Sequence, residues 1–174
     1  GASPIPYGLD ESSGFSFKAD EILEKLTKNT RLIILNSPGN PTGGSNLESE
    51  VKTLVSGLEQ YPECAVLSDE IYSRLHFDGQ KHQSLLQFEG LRDRLIVLDG
   101  WSKTYAMTGW RLGWGVWPKS MIGPATKLAI NIHSCVNAPA QFAAQAALQG
   151  PQDAVDVMRA AFQERRDLVH QRLN

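Results

Sequence analysis

Cysteine is scarce. Cys64 and Cys135 are the only two in 174 residues, too few for a disulfide framework and not arranged as a Cys-x-x-Cys pair. The expected state is two buried, reduced thiols in a cytoplasmic protein. His76, His82, His133 and His170 fall at no metal-ligand spacing, so no metal is expected. Charge of one sign is lacking as well: the formal net charge is −2, with no Lys/Arg block to suggest a nucleic-acid partner. The apolar runs are far shorter than the roughly 20 residues of a membrane span, so no membrane partner is expected. Residues 1–20 lack a basic start followed by an apolar stretch, and the chain opens on Gly1-Ala2-Ser3-Pro4 without an initiator methionine. There is no Gly-x-Ser-x-Gly hydrolase elbow. Gly39-Asn40-Pro41-Thr42-Gly43-Gly44 is no P-loop, because it lacks Gly-Lys-Ser/Thr.

What is present is ordinary in bulk and pointed in detail. The composition, 41% apolar and 21% charged, suits a soluble domain with one proper core. Arg31–Leu35, Cys64–Ser68 and Leu95–Leu98 are continuous apolar runs bounded by turn residues, as expected of strands covered on both faces. Arg111–Trp117 alternates and reads as a further strand, and Ser3–Gly8 as a short, weak one. Helical stripes lie between: Ile22, Leu23 and Leu26 in 20–28, and Leu47, Val51, Leu54, Val55 and Leu58 in 45–60, where Ser45 and Glu48 form a capping-box pattern. Helices follow over roughly 121–134 and 138–148. A last one starts at Pro151 and carries Val155, Met158, Phe162 and Val169 at helical spacing. Strands alternating with helices predict an α/β domain, a mostly parallel sheet with helices on both faces.

In such sheets ligands bind beyond the carboxyl ends of the strands. Those ends carry Asn36 to Gly44, Ser68-Asp69-Glu70-Ile71-Tyr72 and Asp99-Gly100-Trp101-Ser102-Lys103. Lys103 offers an amine at a strand exit, and Arg111 a guanidinium fork suited to a phosphate. Each residue also has a plain reading. Lys103 could be a solvated lysine, Arg111 a sheet-edge cap, and Asp69 the cap of the next turn. Tyr72 could be a half-buried aromatic, and Asn40 a turn former between two prolines. Trp101, Trp110, Trp114 and Trp117 read as core or interface.

The order of the motifs is more specific than any one of them. Asn-Ser-Pro-Gly-Asn-Pro-Thr-Gly (36–43), Ser-Asp-Glu-Ile-Tyr (68–72) and Ser-Lys-Thr-Tyr-Ala-Met-Thr-Gly-Trp-Arg-Leu-Gly (102–113) together resemble the class I aminotransferases, fold type I pyridoxal-phosphate enzymes of the aspartate aminotransferase kind. The resemblance implies a three-layer α/β/α large domain and a pyridoxal 5'-phosphate cofactor held by Lys103 as a Schiff base. By the same resemblance Asp69 pairs with the pyridine nitrogen, and Asn40 and Tyr72 donate to the ring hydroxyl. Arg111 binds the phosphate with help from Ser102, and Ile71 packs against one ring face. The Asn40–Pro41 bond is expected to be cis.

An amino acid and a 2-oxo acid are the implied substrates, and a homodimer the implied assembly. A lyase or synthase of the same fold, such as a carbon–sulfur β-lyase, shares these residues, and a non-catalytic fragment is the third reading. Residues 1–150 are expected to be the central part of the cofactor-binding domain, and 151–174 a helix leading towards an absent small domain. On this view further phosphate ligands, a stacking aromatic and a carboxylate-binding arginine lie outside the sequence, and a slot or open sheet edge is left behind. Gly100 departs from members that place a phosphate-binding serine there.

Overall fold

The three apolar runs become three strands because each is flanked by residues that stop a helix. In the computed structural model, which describes residues 1–173, β1 spans Leu32–Asn36, β2 Ala65–Asp69 and β3 Leu95–Gly100. They pair in parallel, with Asn36 beside Asp69 and Asp69 beside Leu98. β4, Gly113–Val116, runs antiparallel to β3 and sets Gly113 beside Gly100. Gly100 suits that approach: a Cβ there would stand 2.9 Å from the Leu112 carbonyl oxygen. The order is β1-β2-β3-β4. The strands are contiguous, so the expected slot does not exist, and β1 and β4 form the open edges.

The helices are α1 (Ala19–Lys25), α2 (Glu48–Gly57), α3 (Lys119–His133), α4 (Ala138–Gln149) and α5 (Asp153–Leu173). The main core lies between α1, α2 and one face of the sheet, where Ile33, Leu35, Val66, Leu95 and Val97 meet Ile22, Val51, Leu54 and Leu58. Burying one such side chain contributes about 1.5–3 kcal/mol against the entropy of ordering it. β1 is covered on that face only. Leu32 and Ile34 point the other way and remain 44% and 59% exposed, because strand side chains alternate.

Several expectations fail for local reasons. Ser3–Gly8 forms no strand, and Pro4 and Pro6 supply no amide to a ladder. The Ser45/Glu48 capping box does not form; Leu47 is the N-cap of α2, with no side-chain cap, and is 52% exposed. The amides before α2 are already taken, Asn46 N by Ser37 Oγ and Leu47 N by Ser16 Oγ. Cys64 is buried as expected, but Cys135 is exposed in the loop between α3 and α4. On α5 only Val155 is buried, while Phe162 and Val169 stand in the open. Asn174, placed in this helix from the sequence, lies outside the described residues. No helix among the described residues is long and apolar enough to cross a membrane.

Candidate active site

The expected site residues all emerge at one edge of the sheet. β1, β2 and β3 run in parallel and end at Asn36, Asp69 and Gly100, and β4 begins beside Gly100, so the loop holding Arg111 returns to that edge. After β1 the chain passes through cis bonds at Ser37–Pro38 and Asn40–Pro41. Asn36 fixes the loop: its Oδ1 accepts from Asn40 N at 3.1 Å, and its Nδ2 donates to the Asp69 carbonyl at 3.2 Å. Asn40 Nδ2 then donates to the Tyr72 hydroxyl at 3.3 Å.

Beyond β2 the chain folds into tight turns. Asp69 Oδ1 accepts from Ile71 N at 3.2 Å, which is the turn-capping role open to an aspartate at a strand end. Ser73 N donates to Glu70 O and Leu75 N to Tyr72 O, both at 2.8 Å. The side chain of Ile71 reaches over the end of β3, 3.5 Å from where a Cβ of Gly100 would lie.

Lys103 sits in a loop held on several sides. Trp101 Nε1 donates to the Ala144 carbonyl of α4 at 3.0 Å. Tyr105 N and Met107 N both donate to Trp101 O, Thr108 Oγ1 donates to Ser102 O at 2.8 Å, and Thr104 is buried. From this loop Lys103 Nζ comes to 5.6 Å from the centroid of the Tyr72 ring. Asn40, Tyr72 and Lys103 are therefore joined by direct contact.

Asp69 and Arg111 are brought to the same edge by strand register, not by a contact to that trio. Arg111 adopts a left-handed backbone, φ 55°, and its Nη1 donates to Thr108 O at 3.0 Å. It lines an open cavity of about 1180 Å³ with Trp110, Ala106 and the 133–137 loop. Asn40 and Tyr72 line a different hollow of about 650 Å³, shared with His76, Phe162 and Arg166.

A group of residues not singled out from the sequence lies directly behind this edge. Glu70 is 4% exposed and accepts from Ser68 Oγ at 3.0 Å, His82 Nε2 at 2.6 Å and Leu85 N at 3.2 Å. Burial opposes its ionisation, yet the hydrogen bonds from His82 and Ser84 and the His82 charge leave its carboxyl below the usual value. His76 lies against His82 with ring centroids 5.5 Å apart and planes tilted by 49°, and both of its ring nitrogens are buried without a partner. Burial, then the His82 charge, pushes its pKa down. Asp99 Oδ2 accepts from Ser73 Oγ at 3.0 Å and Oδ1 from Gly100 N at 2.6 Å, while burial raises its carboxyl. The available signal was strand parity: Glu70 and Asp99 continue the buried sets Val66, Ser68 and Leu95, Val97.

The sequence model of "Aminotransferase class I and II" matches residues 1–174. An aspartate aminotransferase of Rhizobium meliloti (strain 1021) is 37% identical over 98% of this chain and 42% of its own length. An aspartate/prephenate aminotransferase of Cereibacter sphaeroides is 36% identical over 100% of this chain and 44% of its own. The crystal structure of an aromatic aminotransferase from Pyrococcus horikoshii superposes with a TM-score of 0.93 at 34% identity, over 98% of this chain and 46% of that one. The chain thus spans less than half the length of the relatives it matches. It belongs to the class I and II aminotransferase family.

Proposed function

We propose that this chain is the central part of a pyridoxal 5'-phosphate-dependent aminotransferase that moves an amino group between an amino acid and a 2-oxo acid. The observation carrying this reading is the approach of Lys103 Nζ to Tyr72, whose hydroxyl receives Asn40, at the carboxyl edge of a mostly parallel sheet. The donor set fits the cofactor: an amine for the aldehyde, phenol and amide for the ring hydroxyl, a carboxylate for the ring nitrogen and a guanidinium for the phosphate. When bound, the cofactor supplies an electron sink for the carbanion at the substrate's α-carbon.

The protein's own residues bind and orient. Lys103 is the attachment point and moves the proton, and Asp69 holds the ring nitrogen in its charged form. Tyr72 and Asn40 hold the ring hydroxyl, and Ile71 packs against one ring face. Arg111 would hold the phosphate with its guanidinium charge, with help from Ser102. On this reading residues 1–150 carry the cofactor, residues 151–174 lead out of the domain, and the whole protein is a cytoplasmic homodimer. Exposed apolar side chains such as Ile130, Ile132 and Phe142 support a further partner surface.

The test uses the protein extended to the length of its relatives, supplied with the cofactor, an amino acid and a 2-oxo acid. Amino transfer to the 2-oxo acid, abolished by Lys103→Ala, is expected. Release of ammonia and pyruvate would instead favour a lyase of the same fold.

A further inference from the structure

Tyr72 is bracketed. Two residues before it, Glu70 N donates to the Leu98 carbonyl of β3 at 2.8 Å, extending the parallel ladder by one bond. One residue after it, Ser73 Oγ donates to Asp99 Oδ2 at 3.0 Å. Both anchors land on β3, the strand that leads into the Lys103 loop. The turn between them is closed by Ser73 N to Glu70 O.

Asp99 is well placed for this. Its Oδ1 is held by Gly100 N at 2.6 Å, so the carboxyl is pinned by its own strand before Ser73 reaches it. Ser68 lies beside Val97, which sets Glu70 next to Asp99 on the core-facing side, behind the edge that bears Asp69. Glu70 already collects three partners, the Ser68 hydroxyl, the Leu85 amide and His82. A second ionised carboxyl beside it is disfavoured by burial and by the Glu70 charge. A neutral amide can therefore replace the Asp99 acid without loss: Oδ1 accepts from Gly100 N, and Nδ2 donates to the Ser73 hydroxyl.

We propose that Asp99 is a positioning residue which, through Ser73, clamps the turn carrying Tyr72 to the strand carrying Lys103. The clamp sets the separation of the phenol from the amine, and it rests on the functional reading above.

The test uses the 174-residue chain with Asp99→Ala, Asp99→Asn, Ser73→Ala, Tyr72→Phe and the double variant Tyr72→Phe/Asp99→Ala. Amide exchange is read first, without cofactor. Asp99→Ala and Ser73→Ala should each speed exchange over 70–75 about five- to tenfold, leave Val66 and Val97 unchanged, and Asp99→Asn should restore protection. With pyridoxal 5'-phosphate added, the absorbance titration of the bound chromophore should shift in Asp99→Ala in the direction that Tyr72→Phe shifts it. The double variant should shift no further than Tyr72→Phe alone.

Unchanged exchange over 70–75, a uniform loss across the core strands, or full additivity in the double variant overturns the clamp. If the wild-type chain takes no cofactor at Lys103, the absorbance arm moves to the protein extended to the length of its relatives, where amino transfer decides the functional reading, and the exchange measurements still decide the clamp.

Discussion

The stretch from α1 to β3 and the stretch after it, from Trp101 through α5, are packed by different rules. In the first, two helices and three parallel strands enclose one continuous core. In the second, Leu112, Ala140 and Ala144 form a small cluster with Trp101 and Met107 around it, and α3 buries no residue at all. Asn40, Asp69 and Tyr72 leave the packed stretch, and Lys103 sits on its border, tied to α4 through Trp101. Arg111 belongs to the open stretch. The lesson is that the Lys103 end of the proposed site is pre-set by a finished core, whereas the Arg111 end depends on a region whose apolar side chains still face water.

That contrast can be broken most forcefully in the core. Leu54→Ala should cost about 2–5 kcal/mol in urea unfolding, since a fully buried leucine leaves a cavity. A loss within about 0.5 kcal/mol would mean that the packed stretch is not packed. Next in size is Glu70→Ala, which strands the Ser68 hydroxyl, His82 and the Leu85 amide. About 2 kcal/mol is expected, because each buried donor left alone carries its desolvation cost.

The third effect is pH dependence, and its signs differ by residue. His76 is held neutral by burial, so the unfolded chain binds the extra proton, and stability is lost as pH falls below 6.5. Glu70 has a lowered folded pKa, so its contribution is lost only on further acidification, below 4.5. Asp99, raised from 3.8, runs the other way, stabilising as it is protonated. His76→Phe should remove the first loss, which amounts to at most about 1.4 kcal/mol per pH unit, and urea titrations at pH 7 and pH 5 would reveal it. The same slope in wild type and variant would remove His76 from the account. The smallest effect belongs to the open stretch: Leu128→Ala, at a side chain 62% exposed, should stay within about 0.5 kcal/mol. A cost matching Leu54→Ala would erase the distinction between the two stretches.

The division also governs what could be read from the sequence. Leu32–Asn36, Ala65–Asp69 and Leu95–Gly100 were legible because apolar runs end in turn formers, and their ends carried Asn40, Asp69 and Lys103. The contact of Asn40, Tyr72 and Lys103 needed the register of three strands, which no single segment contains. Asp99 and Glu70 look like ordinary strand-end acids until parity is counted from Val97 and Val66, and their closeness follows only once β2 is paired with β3. The capping box at Ser45 was misleading because hydroxyls of Ser37 and Ser16, distant in sequence, hold the Asn46 and Leu47 amides ahead of the helix, which takes Leu47 as its N-cap. The left-handed backbone of Arg111 carried no local signal, since neither glycine nor asparagine stands there.

Borohydride trapping tests the central claim most directly. The chain is incubated with pyridoxal 5'-phosphate, reduced, digested and mapped by mass spectrometry. The account predicts that the modified peptide carries the label on Lys103, and that Lys103→Ala loses it. Label spread evenly over surface lysines such as Lys52 and Lys81, or retained in full by Lys103→Ala, would contradict it.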